Sequence, residues 1–249
     1  MSAQSTAAGK REHSPAGFIR KAYKILYRAY GPQGWWPAAT RFEVIVGAIL
    51  TQNTSWSNVE KAIANLKAAG ALSAASLRRM PSEKLAQLIR PSGYYNQKAI
   101  KLKNFLAYFF QNYNGSIKAM AARPMPALRE ELLAVHGIGP ETADSILLYA
   151  LDKPSFVVDA YTRRILQGHG VIGEKASYHD IRRLFMDALK PDVYVYNEYH
   201  ALLVRVAKEH YSGRKKTDGN SPLGPLECRP GPHHQQAGRG RPVPENEGN

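Results

Sequence analysis

Apolar residues recur along most of the chain at the three- and four-residue spacing of helices, and no stretch alternates as a strand would. In AGFIRKAYKILYRAYG, Phe18, Ala22, Ile25 and Leu26 share one face and Gly31 ends the run. RFEVIVGAILTQNTSWSNVEKAIANLKAAG reads as two helices joined around 51–58. Its apolar core, Val44–Leu50, fits a strand by period alone, but its length and the lack of a hairpin partner favour a buried helix. SAASLRRM, PSEKLAQLIR, NQKAIKLKNFLAYFFQNY, PALREELLAV, ETADSILLYAL, DAYTRRILQGHG, YHDIRRLFMDAL and VYNEYHALLVRVAKEHY continue the series, separated by short Gly, Pro and Asn breaks. The pattern predicts an all-α protein of about ten helices without internal repeats. Residues 1–14 are small and polar and are expected to be disordered. From Ser212 onward Gly, Pro, Asn and His dominate, so 212–249 is expected to be a flexible extension. Residues 15–211 remain as the folded body.

Charge adds a partner to this picture. The net charge is +14, and 212–249 hold six Lys/Arg against four Asp/Glu, so the folded part carries most of the excess. Such a surface suits a polyanion, nucleic acid before membrane; the alternative is a basic protein that is merely soluble. The single cysteine, Cys228, excludes an internal disulfide and fits a reducing compartment. No apolar run has signal-peptide form or approaches a membrane span, so a cytoplasmic location is expected.

The segment VHGIGPETADSILLYA holds the most distinctive turn. His136-Gly137-Ile138-Gly139-Pro140 joins two amphipathic helices. Gly137 and Gly139 permit positive φ and outward-facing amides, Ile138 can plug the core between the helices, and Pro140 suits a first helical position. The amides open a helix whose dipole favours an anion, so a phosphate is one natural occupant; a plain helix–Gly–helix corner is the other. Glu141 reads as a first-turn acid on that dipole. Asp159 follows it by eighteen residues, and as an Asp ahead of AYTRRIL it reads as an N-cap or a reactive carboxylate.

Together, L-x-x-V-x-G-I-G, the T-A after it and V-D-x-x-x-x-R resemble the helix-hairpin-helix plus Gly/Pro-Asp motif of the endonuclease III superfamily of DNA glycosylases. The resemblance covers roughly Phe18 to Cys228. It implies two interwoven helical lobes, a central one at about 38–150, with the hairpin and a cleft between them. It implies double-stranded DNA with a damaged base as the partner, a monomer, and a place on the nucleoid. Gly137, Ile138, Gly139 and Thr142 would hold a phosphate. Asp159 would be the catalytic residue at base excision. Bifunctional members carry at the Glu141 position a lysine that forms an imine with the sugar; glutamate cannot, so the resemblance is to the monofunctional branch with water as nucleophile. Near a sugar C1′, a carboxylate stabilises the developing cation and can take a proton from water.

A base must leave the duplex to react, and a flipped base needs stacking surfaces. All three tryptophans fall in GWWPAATRFE and LTQNTSWSNVE; they are either core aromatics or such surfaces. W-W-P and T-Q-N-T-x-aromatic resemble the 3-methyladenine glycosylases of the superfamily, where two aromatics sandwich the base, and Trp36 and Trp56 match that pair, with Trp35 beside them. Alkylated purines are cationic, and indole faces attract cations. Gln52 matches the residue that fills the gap left by the base, and Tyr94 the wedge in the opposite strand. Tyr95, Lys98, Arg163 and Arg164 are either phosphate contacts or ordinary surface groups.

The chain departs from the superfamily at its end. Relatives hold a [4Fe–4S] cluster through C-x6-C-x2-C-x5-C, and here that frame meets Tyr211, Asp218, Ser221 and Cys228, the last gap one residue longer. Clusters need thiolates, so no cluster and no other metal is expected. An adenine-removing branch uses a glutamate within the helix before the glutamine; VIVGAIL has none, and Glu43 precedes it. The expected activity is therefore monofunctional hydrolysis of the N-glycosidic bond of alkylated bases, 3-methyladenine foremost, starting base excision repair. The alternatives are an endonuclease III-like glycosylase and lyase for oxidised pyrimidines, or a non-catalytic helix-hairpin-helix DNA-binding protein.

Overall fold

The computed structural model describes residues 14–36, 38–211 and 220–226, and among them there is no strand. Twelve α-helices follow one another. They are α1 (Pro15–Tyr30), α2 (Arg41–Leu50), α3 (Trp56–Ala68), α4 (Ala74–Arg79), α5 (Ser82–Leu88), α6 (Tyr95–Tyr113), α7 (Ile117–Ala122), α8 (Met125–Ala134), α9 (Pro140–Ser145), α10 (Ala160–Gly168), α11 (Tyr178–Ala188) and α12 (Val193–His210). The six-residue α7 was not read from the sequence; it is too short to show a period. ETADSILLYAL, read as one helix, is α9 followed by a π-helical turn over Ile146–Ala150. Val44–Leu50 is helical and buried, as its length argued.

Most starts follow from local chemistry. Ser14, Thr40, Ser73, Ser116, Asp159, Ser177 and Asp192 each accept a hydrogen bond from an amide in the first turn of the helix they open. Two lysines finish helices instead. Lys98, 1% exposed, donates to the Leu50 carbonyl at the end of α2 and to Ser92 O, at 2.8 and 2.6 Å. Lys103 donates to carbonyls at the end of α4. Lys98 is thus a clamp rather than a surface or phosphate-binding group, and burial, then nearby Lys101, lowers its ammonium to about 8.

Two apolar cores result. One gathers residues of α2 to α9 between Val44 and Leu151. The other joins α1 to α10, α11 and α12. The chain therefore begins in one lobe, builds the second, and returns. Tyr149 packs against both cores. Arg163 and Arg164 donate to the carbonyls of Ala176 and Tyr211 and so brace the returning lobe. Residues 220–226 differ from the expected flexible extension. Leu223 is fully buried in the second core, and Leu226 O meets His169 Nδ1 at 2.8 Å.

The lobes are tied at one fully buried carboxylate. Asp144 of α9 accepts two parallel bonds from Arg129 of α8 at 2.8 and 2.9 Å, one from Tyr178 of α11 at 2.9 Å, and one from Ser155. Arg182 stands 3.2 Å away. Removing one partner of a buried pair strands the rest, so Asp144→Ala should cost about 3–5 kcal/mol in urea unfolding, and Arg129→Met should cost measurably less than Asp144→Ala.

Candidate active site

Between the lobes lies a cavity of about 920 Å³. Of the residues singled out from the sequence, Trp35, Trp36, Gln52, Trp56, Gly137, Ile138, Gly139, Glu141, Thr142 and Asp159 all line it. Tyr94 does not. It opens α6 at φ 44°, with 73% of its side chain surface exposed, and projects no contact into the cavity.

The hairpin forms one side. Gly137 has φ +96°, and a Cβ there would collide with the Lys101 side chain. Gly139 corrects the expectation of positive φ: it is extended, at φ −89° and ψ 176°. Among the described residues nothing lies within 4 Å of where its Cβ would be, so no packing contact there demands glycine. Ile138 is buried. No side chain caps α9. The Thr142 hydroxyl is engaged, accepting from Gln52 Nε2 at 3.0 Å; Gln52 also donates to Gly137 O at 3.1 Å and accepts from Lys101. Gln52 is thereby pinned to the hairpin.

The tryptophans form the opposite side. Trp36 and Trp56 meet edge to face, 4.9 Å between centroids at 83°. They make a corner, not the two parallel walls expected of a sandwich; a base stacked on one ring would meet the edge of the other. Trp36 also packs on Tyr149, at 5.0 Å and 40°. Gly47 of α2 makes room beneath them: its Cβ would lie 3.3 Å from Trp36 and 3.6 Å from Trp56. The loop carrying Trp35 and Trp36 is held by Glu198 of α12, 3% exposed, which accepts from the amides of Gln33 and Gly34 at 2.6 and 3.1 Å.

Asp159 stands at the start of α10. It does cap: Oδ1 accepts from the Thr162 amide at 2.7 Å. Its other oxygen, Oδ2, lies 3.5 Å from His200 Nε2 of α12. Burial pushes this carboxyl up, but His200 and the Thr162 amide outweigh it and hold the acid below the usual aspartate range. Glu141 behaves oppositely. Glu141 is an exposed residue, yet desolvation of its carboxyl in the cleft, then the charge of Asp159, pushes it up to about 7, against the direction a helix N-terminus would give. Glu141 is a first-turn acid of α9 as read from the sequence, but it shares the cleft with Asp159, so two carboxyls face one cavity and their surroundings push them in opposite directions.

His200, Tyr149, Glu198, Lys101 and Gly47 were missed by sequence reading. The available signal was that VYNEYHALLV places Glu and His inside a helix buried nearly all round, where charge needs a partner.

At the chain end, Ser221 donates to the buried Tyr211 hydroxyl at 3.3 Å, and the same hydroxyl meets His169 Nε2 at 2.6 Å. Asp218 and Cys228 lie outside the described residues. Two of the four frame positions are thus hydroxyls turned to each other, which do not fit an iron–sulfur cluster. Among the described residues no group of three or more His, Cys, Asp or Glu converges as a metal site, and no helix is long and apolar enough to cross a membrane.

A helix-hairpin-helix facing an aspartate-capped helix across an aromatic cleft is the architecture of base-excising DNA glycosylases, and comparison with known proteins agrees. Residues 46–191 match the HhH-GPD superfamily of base excision DNA repair proteins, so the chain belongs to that superfamily and is a DNA glycosylase that binds DNA. It is 51% identical over 207 residues to a protein of Methanocaldococcus jannaschii named as a candidate DNA repair glycosylase, covering 82% of this chain and 93% of the relative. Helicobacter pylori 3-methyladenine DNA glycosylase bound to 1,N6-ethenoadenine superposes with a TM-score of 0.68 at 30% identity, over 79% of this chain and 98% of that one. An endonuclease III–DNA complex gives the same TM-score at 20% identity over 80% and 89%, a likeness of fold alone.

Two outcomes are expected. Gly47→Val should displace Trp36 and weaken excision while leaving duplex affinity within about twofold in fluorescence anisotropy. Glu141 binds its proton more tightly folded than unfolded, so its favourable share of stability is present below its ordinary 4.5 and lost as pH rises through about 7. Glu141→Gln should therefore melt above wild type at about pH 8, the gap closing toward about pH 4.

Proposed function

We propose that the enzyme is a monofunctional glycosylase that hydrolyses the N-glycosidic bond of alkylated purines, 3-methyladenine foremost, in duplex DNA. One observation carries this: Glu141 occupies the hairpin position that faces Asp159 across a cleft walled by tryptophans. A carboxyl there cannot form an imine, so water must close the reaction. Asp159, held ionised, is the group to stabilise the sugar cation and to take the water proton. An alkylated purine leaves neutral and needs no strong acid. Its cationic ring suits the indoles of Trp36 and Trp56, stacking on one and edged by the other. The likeness to the Helicobacter pylori enzyme, named for 3-methyladenine, supports the same substrate class.

On the DNA side, the uncapped start of α9 with Gly137 and Gly139 is suited to a phosphate, which would explain the open space at Gly139. Gln52 would stand in the vacated stack. Tyr94, exposed and opening its helix in a left-handed conformation, is placed to wedge the other strand. The hydroxyls of Tyr211 and Ser221 support an enzyme that works without an iron–sulfur cluster.

The test is release of free bases from methylated genomic DNA, run beside abasic-strand nicking with borohydride trapping. We expect 3-methyladenine, no nicking and no trapped adduct. Asp159→Asn should lower excision by about three orders of magnitude or more with DNA binding retained. A trapped adduct would instead assign an imine to Lys101 or Lys208, the amines lining the cleft, and restore the lyase alternative.

A further inference from the structure

Asp159 has a second neighbour that the reaction outlined above does not use. His200 is 6% exposed, sits on α12 and belongs to neither the hairpin nor the aromatic corner. Its Nδ1 is 2.6 Å from the Tyr149 hydroxyl. Its Nε2 is buried, makes no hydrogen bond, and points at Asp159 Oδ2 from 3.5 Å. Tyr149 is half-buried between the two cores, and desolvation, then Asp159 and Glu141, raises its hydroxyl well above the ordinary range. A protonated phenol that donates to Nδ1 leaves the imidazole hydrogen on Nε2. That hydrogen faces the carboxylate.

We infer that His200 is a positioning residue for Asp159, with Tyr149 fixing its tautomer, so that each oxygen of the carboxylate has an oriented partner. This rests on the reading that Asp159 carries the reaction. One oxygen is hydrogen-bonded by the first turn of α10 through Thr162; the other is faced by His200 of α12 at ion-pair distance, 3.5 Å. A carboxylate partnered at both oxygens keeps its plane while charge builds at the sugar, and preorganisation of this kind is where most electrostatic catalysis resides. The Tyr149 ring also packs on Trp36. A single run of contacts, Trp36–Tyr149–His200–Asp159, thus joins the wall that meets the base to the group that meets the sugar. Because Tyr149 packs against both cores, the run also spans the junction of the lobes.

The groups facing His200 are Tyr149 from the π-helical turn, Asp159 from α10 and Glu141 from α9, with Lys208 further along α12 on the same cleft. Glu141 changes charge near neutrality, so the test is made in a Glu141→Gln background as well as in wild type.

The first measurement needs no substrate. With aspartate labelled at the side-chain carboxyl carbon, the Asp159 resonance, assigned through Asp159→Asn, is followed by NMR against pH. In wild type it should titrate below the usual aspartate range. In His200→Leu it should titrate higher, in Tyr149→Phe by less in the same direction, and His200→Gln, which keeps a donor, should stay near wild type. The second measurement is single-turnover excision from methylated duplex DNA. His200→Leu should lose about tenfold or more in rate, the effect of one charged hydrogen bond, with its acid limb shifted to higher pH and DNA affinity unchanged. An Asp159 titration unmoved in His200→Leu overturns the inference, whatever the rates. Full activity in Asp159→Asn overturns instead the reading on which it rests, and the NMR result stands apart from that outcome.

Discussion

The carboxylate of Asp144 is the point on which the rest of the molecule is hung. It is fully buried, and α8, α9, α11 and the extended connection after α9 all reach it. Two arginines face it, so loss of the carboxylate would leave two guanidinium charges together in the interior. Its importance lies in what it orients. The connection that leads to Asp159 is gripped at Ser155, and again at the Val158 amide, 3.4 Å from the Tyr178 hydroxyl that itself donates to Asp144. The hairpin and the candidate catalytic aspartate therefore share one anchor. A shift in either would be transmitted to the other through this shared carboxylate.

From that anchor the cleft is built by helices that carry unlike tasks. α9 brings the hairpin amides and Glu141; α10 brings Asp159 on its first turn; α12 fixes both the tryptophan loop through Glu198 and the aspartate through His200. The tryptophan loop and the candidate catalytic aspartate are thus both supported from one helix in the second core. The two cleft carboxyls are driven apart by their surroundings. Asp159 meets donors that lower it, whereas desolvation of its carboxyl in the cleft and the charge of Asp159 push Glu141 up. This is the usual way one pocket holds two acids in different states.

How much of this could be read beforehand depended on whether the cause was local. Helices declared themselves by period, and Asp159 by its place before an apolar run, because caps are local chemistry. The hairpin was legible for the same reason, though Gly139 was misjudged: its backbone is ordinary, and no packing contact there demands glycine. Lys98 was left between a phosphate contact and a surface group because lysine is almost never buried; only the fold brings two carbonyl ends around it. Gly47, Glu198 and His200 were invisible because each acts on residues distant in sequence. The aromatic corner was half legible: its members were found, but the 83° between Trp36 and Trp56 is a property of packing, not of spacing.

The treatment of cations inside the fold bears on how strongly the protein should grip DNA. Lys98 and Lys103 are spent on helix ends, Arg129 and Arg182 on Asp144, and Arg163 on a loop carbonyl. None of these can displace a condensed counterion from a phosphate. The formal charge of +14 therefore overstates the binding footprint. Affinity should fall with added salt along a shallower slope than that total implies, set by the exposed lysines and arginines alone. An enzyme that must travel along undamaged duplex between rare lesions is served by that restraint: a weaker ionic hold on ordinary DNA leaves recognition to the cleft.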